Sequence, residues 1–342
     1  MKRRLFFLTA ISIGIFLIPY LAHAASSYYE GKTMRIIVGY SPGGGFDLYS
    51  RLIARHMGKH IPGNPAIIVE NMTGAGSLVA ANYVYKIAKP DGLTIANFSG
   101  GLFLGQALNQ EGIEFDARKF EYVGVPTQDD IIYVFTRKSG ITSMDKWTTS
   151  KRPIKMGGLA QGSFTPDNCT RIMAEALNLP IKMVTGYKGT AEIRLACESG
   201  ELDGTVRTMD SMRADWKKAW EAGDVIVVLQ ATSKPIPDLP GVPLAVQLAK
   251  TPEARTLIEV GIQHPSNYMR PYVLPPGTPK DRVQIIRNAF IAALEDKELR
   301  AEAEKSRLSI DYLSGDELQK LVSGLFNQDA ALLAKLKDII YR

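Results

Sequence analysis

Residues 34–58 read MRIIVGYSPGGGFDLYSRLIARHMG, and this stretch decides the fold. It opens with a short apolar run rich in β-branched residues, which is typical of a buried parallel strand. Glycines 43–45 predict a tight turn, because glycine accepts positive φ and close backbone approaches. Asp47 can then cap a helix. The apolar residues of that helix recur near helical spacing at Leu48, Leu52, Ile53 and Met57. A helix that begins where a strand ends presents unpaired N–H groups and a positive dipole end, which favour an anion.

Two nucleotide-binding motifs do not fit this turn. The phosphate-binding loop of NTPases has Lys-Ser or Lys-Thr after its glycines, whereas Phe46 and Asp47 follow Gly45 here. A dinucleotide fingerprint places its glycines at separated positions, which a run of consecutive glycines does not supply. From this stretch alone, two interpretations stay open: a site for a small anion, and a tight turn without a ligand.

Further motifs follow this stretch in a defined order. The set consists of SPGGGFD at 41–47, VENMTGAG at 69–76, PDG at 90–92, GYKGT at 186–190 and PPGTP at 275–279. Through these motifs the chain, from about residue 28 to 342, resembles the Bug family. Bug proteins are the extracytoplasmic solute receptors of tripartite tricarboxylate transporters, with a type II-like periplasmic-binding-protein fold. One departure is Phe46, because the family usually has Thr or a small residue there.

The beginning of the chain has the pattern of a secretory signal peptide. Basic residues 2–4 precede an apolar run over 5–21, and Ala22-His23-Ala24 forms a small-x-small cleavage site. We therefore expect residues 1–24 to be removed and the remaining chain to reach the periplasm. A retained membrane anchor stays open, because the apolar run approaches spanning length. Cleavage removes three positive charges and lowers the net charge from +6 to +3, so basicity argues little for nucleic acid.

Strand and helix patterns alternate along most of the remaining chain. Strands are predicted at 34–38, 66–70, 93–98, 121–125, 131–136, 154–158, 181–185, 203–208 and 225–230. This alternation predicts parallel sheets covered by helices, with ligands at the carboxyl ends of the strands. The last segment has helical character, including a capping-box spacing at Ser314 and Glu317. It lacks strands for a sheet of its own, so we expect it to pack on the first domain.

The predicted fold class is α/β, a two-lobe periplasmic-binding-protein fold. Each lobe is a sheet flanked by helices, and the ligand cleft lies between the lobes. Lobe 1 is predicted to be discontinuous, with residues 25–130 and 244–342, and lobe 2 to hold residues 131–243.

Ligand contacts are predicted in loops of both lobes. The 41–47 and 160–165 loops occupy equivalent places, and each leads into a helix, the second capped by Thr165 with Pro166 in its first turn. The resemblance supports both loops as carboxylate binders and adds the loop at 74–77. The predicted contacts are Ser41, Gly43, Gly44, Gly45, Phe46, Asp47, Gly74, Ala75, Gly76, Ser77, Gln161, Gly162, Ser163, Phe164, Thr165, Tyr187 and Arg207.

Two of these positions have structural alternatives. Tyr187 belongs to the family's tyrosine-lysine-glycine motif. Its predicted role is to line the cleft or support the hinge, and the alternative is that the motif is only a structural turn. Arg207 ends an apolar strand, where its guanidinium can pair with a ligand carboxylate or with Asp203 or Asp210.

The histidines, serines and cysteines of the sequence predict no catalytic centre, metal site or cofactor site. His56 and His60 have metal-ligand spacing, but no third ligand is evident in the sequence, so a solvated helix face is predicted. No Ser or Cys lies in a nucleophile motif such as Gly-x-Ser-x-Gly. Cys169 and Cys197 fall on successive crossover helices, which right-handed connections place on opposite faces of the sheet if the chain reverses direction between them. Free thiols are therefore favoured, although export permits a disulfide.

The sequence thus predicts a non-enzymatic, monomeric receptor that captures a small organic anion and delivers it to integral membrane subunits of a transporter. The resemblance implies di- or tricarboxylates, amino acids or aromatic carboxylates as ligands. Two alternatives stay open: a periplasmic sensor that docks on a signalling partner, and a periplasmic enzyme on the same fold.

Overall fold

The computed structural model describes residues 28–159, 163–187 and 189–342. The chain forms two compact units. The first runs to Phe98 and includes Lys119–Gly124 and Tyr272–Ala303; the second holds Ser99–Arg118, Val125–Pro271 and Glu304–Arg342. The predicted signal peptide lies outside the described residues. The lobe boundaries expected from the sequence stay a prediction.

Strands and helices alternate as the sequence predicts. The strands are β1 (Thr33–Val38), β2 (Ala66–Asn71), β3 (Thr94–Asn97), β4 (Glu121–Val125), β5 (Ile131–Thr136), β6 (Ile154–Gly157), β7 (Ile181–Val184), β8 (Gly204–Thr208), β9 (Val225–Gln230), β10 (Tyr272–Leu274) and β11 (Leu313–Ser314). The helices are α1 (Gly45–Met57), α2 (Leu78–Lys86), α3 (Gly101–Ala107), α4 (Met144–Thr148), α5 (Cys169–Leu177), α6 (Thr190–Ser199), α7 (Met209–Asp215), α8 (Lys217–Glu221), α9 (Ala245–Leu248), α10 (Pro252–Ile258), α11 (His264–Asn267), α12 (Lys280–Glu295), α13 (Lys297–Lys305), α14 (Gly315–Leu325) and α15 (Ala330–Tyr341).

The sheet of the first unit has the strand order β4-β10-β3-β1-β2. β1 runs parallel to β2 and β3, with Ile36 opposite Val69 and Ile95. β10 lies between β3 and β4 and is antiparallel to both. The predicted strands β1, β2 and β3 are parallel as expected, and the antiparallel β10, which was not predicted, makes the sheet mixed. Sequence reasoning missed β10 because this strand lies between prolines 271 and 275 and is too short to show a period.

The core of the first unit lies between this sheet and its helices. Met34 and residues 36–38 of β1 are fully buried, as the β-branched run predicts. α1 packs against β2 and α12, with Leu52, Ile53 and Met57 buried. Fully burying one such aliphatic side chain stabilises the folded state by about 1.5–3 kcal/mol. This packing fixes the start of α1 relative to the ends of the strands.

The second unit has its own sheet, in the order β7-β6-β8-β5-β9. β6 is parallel to β7 and β8, whereas β5 is antiparallel to β8 and β9. This sheet is also mixed, and its core includes Trp216 and Cys197. Both cysteines are buried free thiols, as the sequence favours. Burial raises the pKa of Cys197 to about 12 and raises that of Cys169, so both are protonated at neutral pH.

Two further points concern helices. The predicted capping box is present at the start of α14, where Ser314 and Glu317 each bond the other's backbone N–H. Within the described parts of the chain, no helix has both the length and the apolar character needed to cross a bilayer.

Candidate anion-binding loops

The first unit brings two predicted binding loops together at the ends of neighbouring strands. β1 leads into the 41–47 loop and β2 into the 74–77 loop, and the last residues of the two strands, Val38 and Asn71, lie in register. The Tyr40 hydroxyl donates to the Gly76 carbonyl over 3.4 Å. A Cβ on Gly39 would lie 2.3 Å from the Cβ of Ser77, so only glycine permits this approach. The two loops form one surface at the carboxyl edge of the sheet.

Asp47 holds the 41–47 loop in place. α1 begins at Gly45 with Gly44 as its N-cap, so the prediction that Asp47 caps the helix is wrong. Asp47 lies in the first turn, where its carboxylate accepts hydrogen bonds from the Gly43 N–H, Arg51 Nε and Asn71 Nδ2, each over 2.9 Å. The Asp47 residue is only 2 % exposed. These bonds give it a structural role, and its contact with ligand stays a prediction.

The charge of Asp47 is stabilised by the same contacts. Burial alone raises the pKa of Asp47, but hydrogen bonds from Arg51, Gly43 and Asn71 outweigh burial and leave the pKa below its usual 3.8. The carboxylate is therefore ionised at neutral pH and paired with Arg51. This pairing limits the repulsion that an approaching anion would meet.

The glycine turn leaves its backbone open to solvent. Residues 41–44 are exposed, and a Cβ on Gly44 would meet only the Ser41 carbonyl oxygen, at 3.9 Å. The first N–H groups of a helix have no acceptor within the helix, and Gly44 has no side chain with which to cap them. Beside the turn, the rings of Tyr40 and Phe46 stack with centroids 4.3 Å apart. The loop thus combines backbone donors with one aromatic wall.

The 74–77 loop has an unusual backbone. All its residues have positive φ: 139° at Gly74, 46° at Ala75, 62° at Gly76 and 76° at Ser77. Positive φ is uncommon in residues with a side chain, and such strain concentrates at functional sites. Ser77 is buried, whereas residues 74–76 are exposed. This loop therefore exposes backbone rather than side chains next to the glycine turn.

The predicted loop of the second unit is described only in part. Gln161 and Gly162 lie outside the described residues. Ser163 is the N-cap of a π-helical turn, Phe164–Asn168, inside which Thr165 keeps an extended conformation (φ −116°, ψ 127°). The prediction that Thr165 caps a regular helix is therefore wrong, and Phe164 is buried. In the same turn, the fully buried Asp167 accepts a hydrogen bond from the Leu159 N–H over 2.7 Å.

Tyr187 and Arg207 have structural partners in the second unit. The Tyr187 hydroxyl donates to Glu201 Oε1 over 2.6 Å. The Arg207 side chain is 2 % exposed and pairs with Asp215 over 2.6 Å, with its guanidinium over the Trp216 ring. The predicted partners were wrong, because Asp203 pairs with Arg152 and Asp210 with Arg213. Ligand contact by Tyr187 and Arg207 stays a prediction.

Sequence reasoning missed two asparagines that join these parts of the first unit. Asn71 Nδ2 donates to the Tyr40 carbonyl over 2.8 Å as well as to Asp47. The fully buried Asn97 donates through Nδ2 to the Phe46 carbonyl over 3.2 Å and to the Ser50 hydroxyl over 3.0 Å. Each asparagine is the last residue of its strand, so its position at a carboxyl strand end was the available signal.

Comparison with known sequences places the chain among receptors. The family model described as "Tripartite tricarboxylate transporter family receptor" (TctC) matches residues 50–337. A UPF0065 protein in the gbd 5'region of Cupriavidus necator is 24% identical over 331 residues, which is 95% of this chain and 93% of that protein. Another UPF0065 protein, from the TAR-I ttuE-ttuC' intergenic region of Agrobacterium vitis, is 27% identical over 241 residues, with 68% and 66% coverage.

Solved structures share the fold. A TctC solute binding protein from Polaromonas has a TM-score of 0.68 at 18% identity, covering 91% of this chain and 99% of that one. MatC from Rhodopseudomonas palustris, solved with malate, has a TM-score of 0.64 at 21% identity and the same coverage. A second R. palustris protein, solved with adipate, has a TM-score of 0.65 at 21% identity, with 90% and 98% coverage. The two-domain periplasmic-binding-protein fold expected from the sequence is thus confirmed. Because the family model spans most of the chain, this protein belongs to the TctC family, the solute-binding receptors of tripartite tricarboxylate transporters.

Proposed function

We propose that this receptor captures a small dicarboxylate in the periplasm and delivers it to the membrane subunits of a tripartite transporter. One observation in the first unit supports a carboxylate as the group that is bound. α1 begins at Gly45 directly behind exposed glycines, while the neighbouring Asp47 is buried and bonded to the loop itself. The helix start is therefore open to an anion and is not filled by the protein's own carboxylate.

Backbone groups are the principal donors in this proposal. The N–H groups at a helix start together carry roughly half a positive elementary charge. Hydrogen bonds to a charged group contribute about 1.5–3 kcal/mol each. Arg51, next to the glycine turn, is already paired with Asp47, and the predicted contact Arg207 with Asp215. Backbone recognition thus requires no additional basic side chain in the first unit.

The choice of a dicarboxylate rests on the relatives. MatC was solved with malate and a second R. palustris protein with adipate, and both ligands are linear dicarboxylates. The glycine turn and the 74–77 loop are adjacent here, so one carboxylate can reach exposed backbone from both loops. The second carboxylate is the part of the ligand that distinguishes it from a monocarboxylate.

The remaining parts of the proposal follow from the family and the sequence. Its relatives are solute-binding receptors, which supports binding without chemical conversion. The basic, apolar and small-residue pattern of 1–24 supports export and cleavage after Ala24. We take the receptor to act as a monomer that meets the membrane subunits of its carrier.

A thermal-shift panel on the exported protein tests this function. Linear di- and tricarboxylates, matched monocarboxylates, amino acids and aromatic carboxylates are compared at equal concentration. At about 100 times its dissociation constant, a ligand stabilises the folded state by about 2.7 kcal/mol. We expect a dicarboxylate to raise the unfolding temperature more than the monocarboxylate of equal length, and to be recovered unchanged. Absence of any shift with millimolar carboxylates, or recovery of an altered ligand, would contradict the proposal.

A further inference from the structure

A cluster of histidines and carboxylates lies at the far end of α1 from the glycine turn. His56 is in the last turn of α1, and His60 ends the short helical turn Gly58–His60 that follows. Asp296, Glu298 and Glu302 lie at and within α13. All five belong to the first unit. The sequence alone could not show this cluster, because the carboxylates come more than 200 residues after the histidines.

Both histidines direct a ring nitrogen at a carboxylate. His56 Nε2 lies 2.8 Å from Glu302 Oε2, and His60 Nε2 lies 3.2 Å from Asp296 Oδ2. In addition, three possible ligand atoms lie within 4.8 Å of one another, one each from His56, Asp296 and Glu298. Imidazole nitrogens and carboxylate oxygens are the ligands that Zn²⁺ takes in mixed sites. The fold therefore places two carboxylates beside His56 that the sequence did not reveal, whereas His60 is not a member of this group of three.

A cation of the protein already occupies the space between two of these carboxylates. The Lys59 ammonium lies 2.7 Å from Asp296 Oδ2 and 2.7 Å from Glu298 Oε2. The Lys59 side chain is 44 % exposed and flexible, so its ammonium can move into solvent. The two carboxylates therefore already hold one positive charge, and Lys59 can release them to another cation.

The orientation of Asp296 is fixed by a further contact. Its second oxygen, Oδ1, accepts the Glu298 N–H over 2.8 Å at the start of α13, which leaves Oδ2 directed at His60 and Lys59. Hydrogen bonds of this kind hold metal ligands in position. The Asp296 side chain is 13 % exposed and that of His56 also 13 %, so the cluster is partly shielded from water.

We propose that His56, Asp296 and Glu298 form a site for one divalent transition metal of the Zn²⁺ type, which displaces the Lys59 ammonium when it binds. Ligand bonds of about 2.0–2.2 Å place tetrahedral ligand atoms about 3.4 Å apart, so these three atoms, which now lie within 4.8 Å of one another, must move closer together. The exposed Glu298 side chain and the released Lys59 permit this movement. The metal would join the end of α1 to the start of α13, and so stabilise the unit that presents the glycine turn.

Zinc titration of tag-free, chelator-treated protein tests the proposal by calorimetry near neutral pH. We expect one zinc ion per chain with a micromolar dissociation constant. His56→Gln should weaken binding at least tenfold, as loss of one ligand requires, whereas His60→Gln should weaken it less, because His60 only contacts the ligand Asp296. Lys59→Met should tighten binding several-fold, because it removes the competing ammonium. His264→Gln is the matched control, because His264 lies in the second unit, and it should bind zinc like the wild type.

Variant folding is checked by unfolding temperature in the presence of a chelator. If a histidine variant is unfolded, Glu298→Gln replaces it, because that side chain is 75 % exposed and contributes little to folding. Glu298→Gln should weaken zinc binding while its unfolding temperature in chelator stays that of the wild type. Millimolar or weaker zinc binding by the wild type, wild-type affinity in the folded ligand variants, or no gain in Lys59→Met would overturn the proposal.

Discussion

At the scale of single residues, a buried aspartate accepts a backbone hydrogen bond at each of the two predicted binding loops. Asp47 accepts the Gly43 N–H in the first unit, and Asp167 accepts the Leu159 N–H in the second. The sequence marks Asp47 by its place after the glycines, and it therefore predicted a local role, the helix cap. The observed role depends on Asn71, which lies on another strand, and no local pattern reports that contact.

Replacing Asp47 should destabilise the protein in a pH-dependent way. Asp47→Asn removes the charge that Arg51, Gly43 and Asn71 stabilise, so we expect a loss of about 1.5–3 kcal/mol in the free energy of unfolding at neutral pH. The folded pKa lies below the usual 3.8, so this contribution is present above about pH 4 and is lost as pH falls through the folded value. Urea unfolding of both proteins between pH 7 and pH 3 should show the difference shrinking.

Glu70→Gln is the control for that experiment. It breaks an exposed pair in the same unit, between Arg35 and Glu70 at 3.5 Å, and should cost less than about 1 kcal/mol. Equal losses for the two variants, or a difference for Asp47→Asn that does not change with pH, would contradict the role assigned to Asp47.

At the scale of elements, the sequence predicted the secondary structure of segments with a clear local pattern, and it did not predict short or irregular segments. The β-branched apolar run at 34–38 predicted β1, and the helical spacing of apolar residues from Leu48 to Met57 predicted α1, because both signals are local in the sequence. The capping box at Ser314 also followed from local chemistry. β10 could not be predicted, because its pairing with β3 and β4 comes from tertiary contacts.

Gly39→Ala tests the approach of the two loops in the first unit. The added Cβ would lie 2.3 Å from that of Ser77, so the 74–77 loop must shift. We expect a loss of about 1–3 kcal/mol in stability, the usual range for overpacking, together with weaker ligand binding. Chemical denaturation and ligand titration measure the two effects.

Gly44→Ala is the matched control for stability. Its Cβ meets only one atom, at 3.9 Å, so its free energy of unfolding should stay within about 0.5 kcal/mol of the wild type. If Gly39→Ala were as stable as Gly44→Ala, the 74–77 loop would not depend on glycine at position 39.

At the scale of the whole molecule, the order of motifs was more informative than any single motif. Each glycine motif alone leaves a plain turn open, but their order along the chain predicted the receptor family to which the chain belongs. The division of the chain was less accessible to sequence reasoning. The chain passes between the two units several times, including short stretches such as Lys119–Gly124, and no change of composition marks these positions.

Export should leave a protein that begins at Ala25. The pattern over residues 1–24 predicts cleavage after Ala24. Intact-mass measurement should show that protein recovered from the periplasm lacks these residues, whereas unexported protein from the same cells retains them. An exported protein that keeps residues 1–24 would instead indicate a membrane anchor.

The central claim is that backbone N–H groups at the start of α1 bind the carboxylate. Calorimetric titration of Gly44→Val with the dicarboxylate identified in the panel tests it most directly. A Cβ on Gly44 would meet only the Ser41 carbonyl oxygen, at 3.9 Å, so the fold should survive, while the valine methyl groups should obstruct the proposed ligand position. Gly324→Val, in α14 and with open space around it, is the control. We predict that folded Gly44→Val loses at least tenfold in affinity, since each lost charged hydrogen bond is worth about 1.5–3 kcal/mol, while Gly324→Val binds like the wild type. A folded Gly44→Val that binds the dicarboxylate with wild-type affinity would contradict the claim.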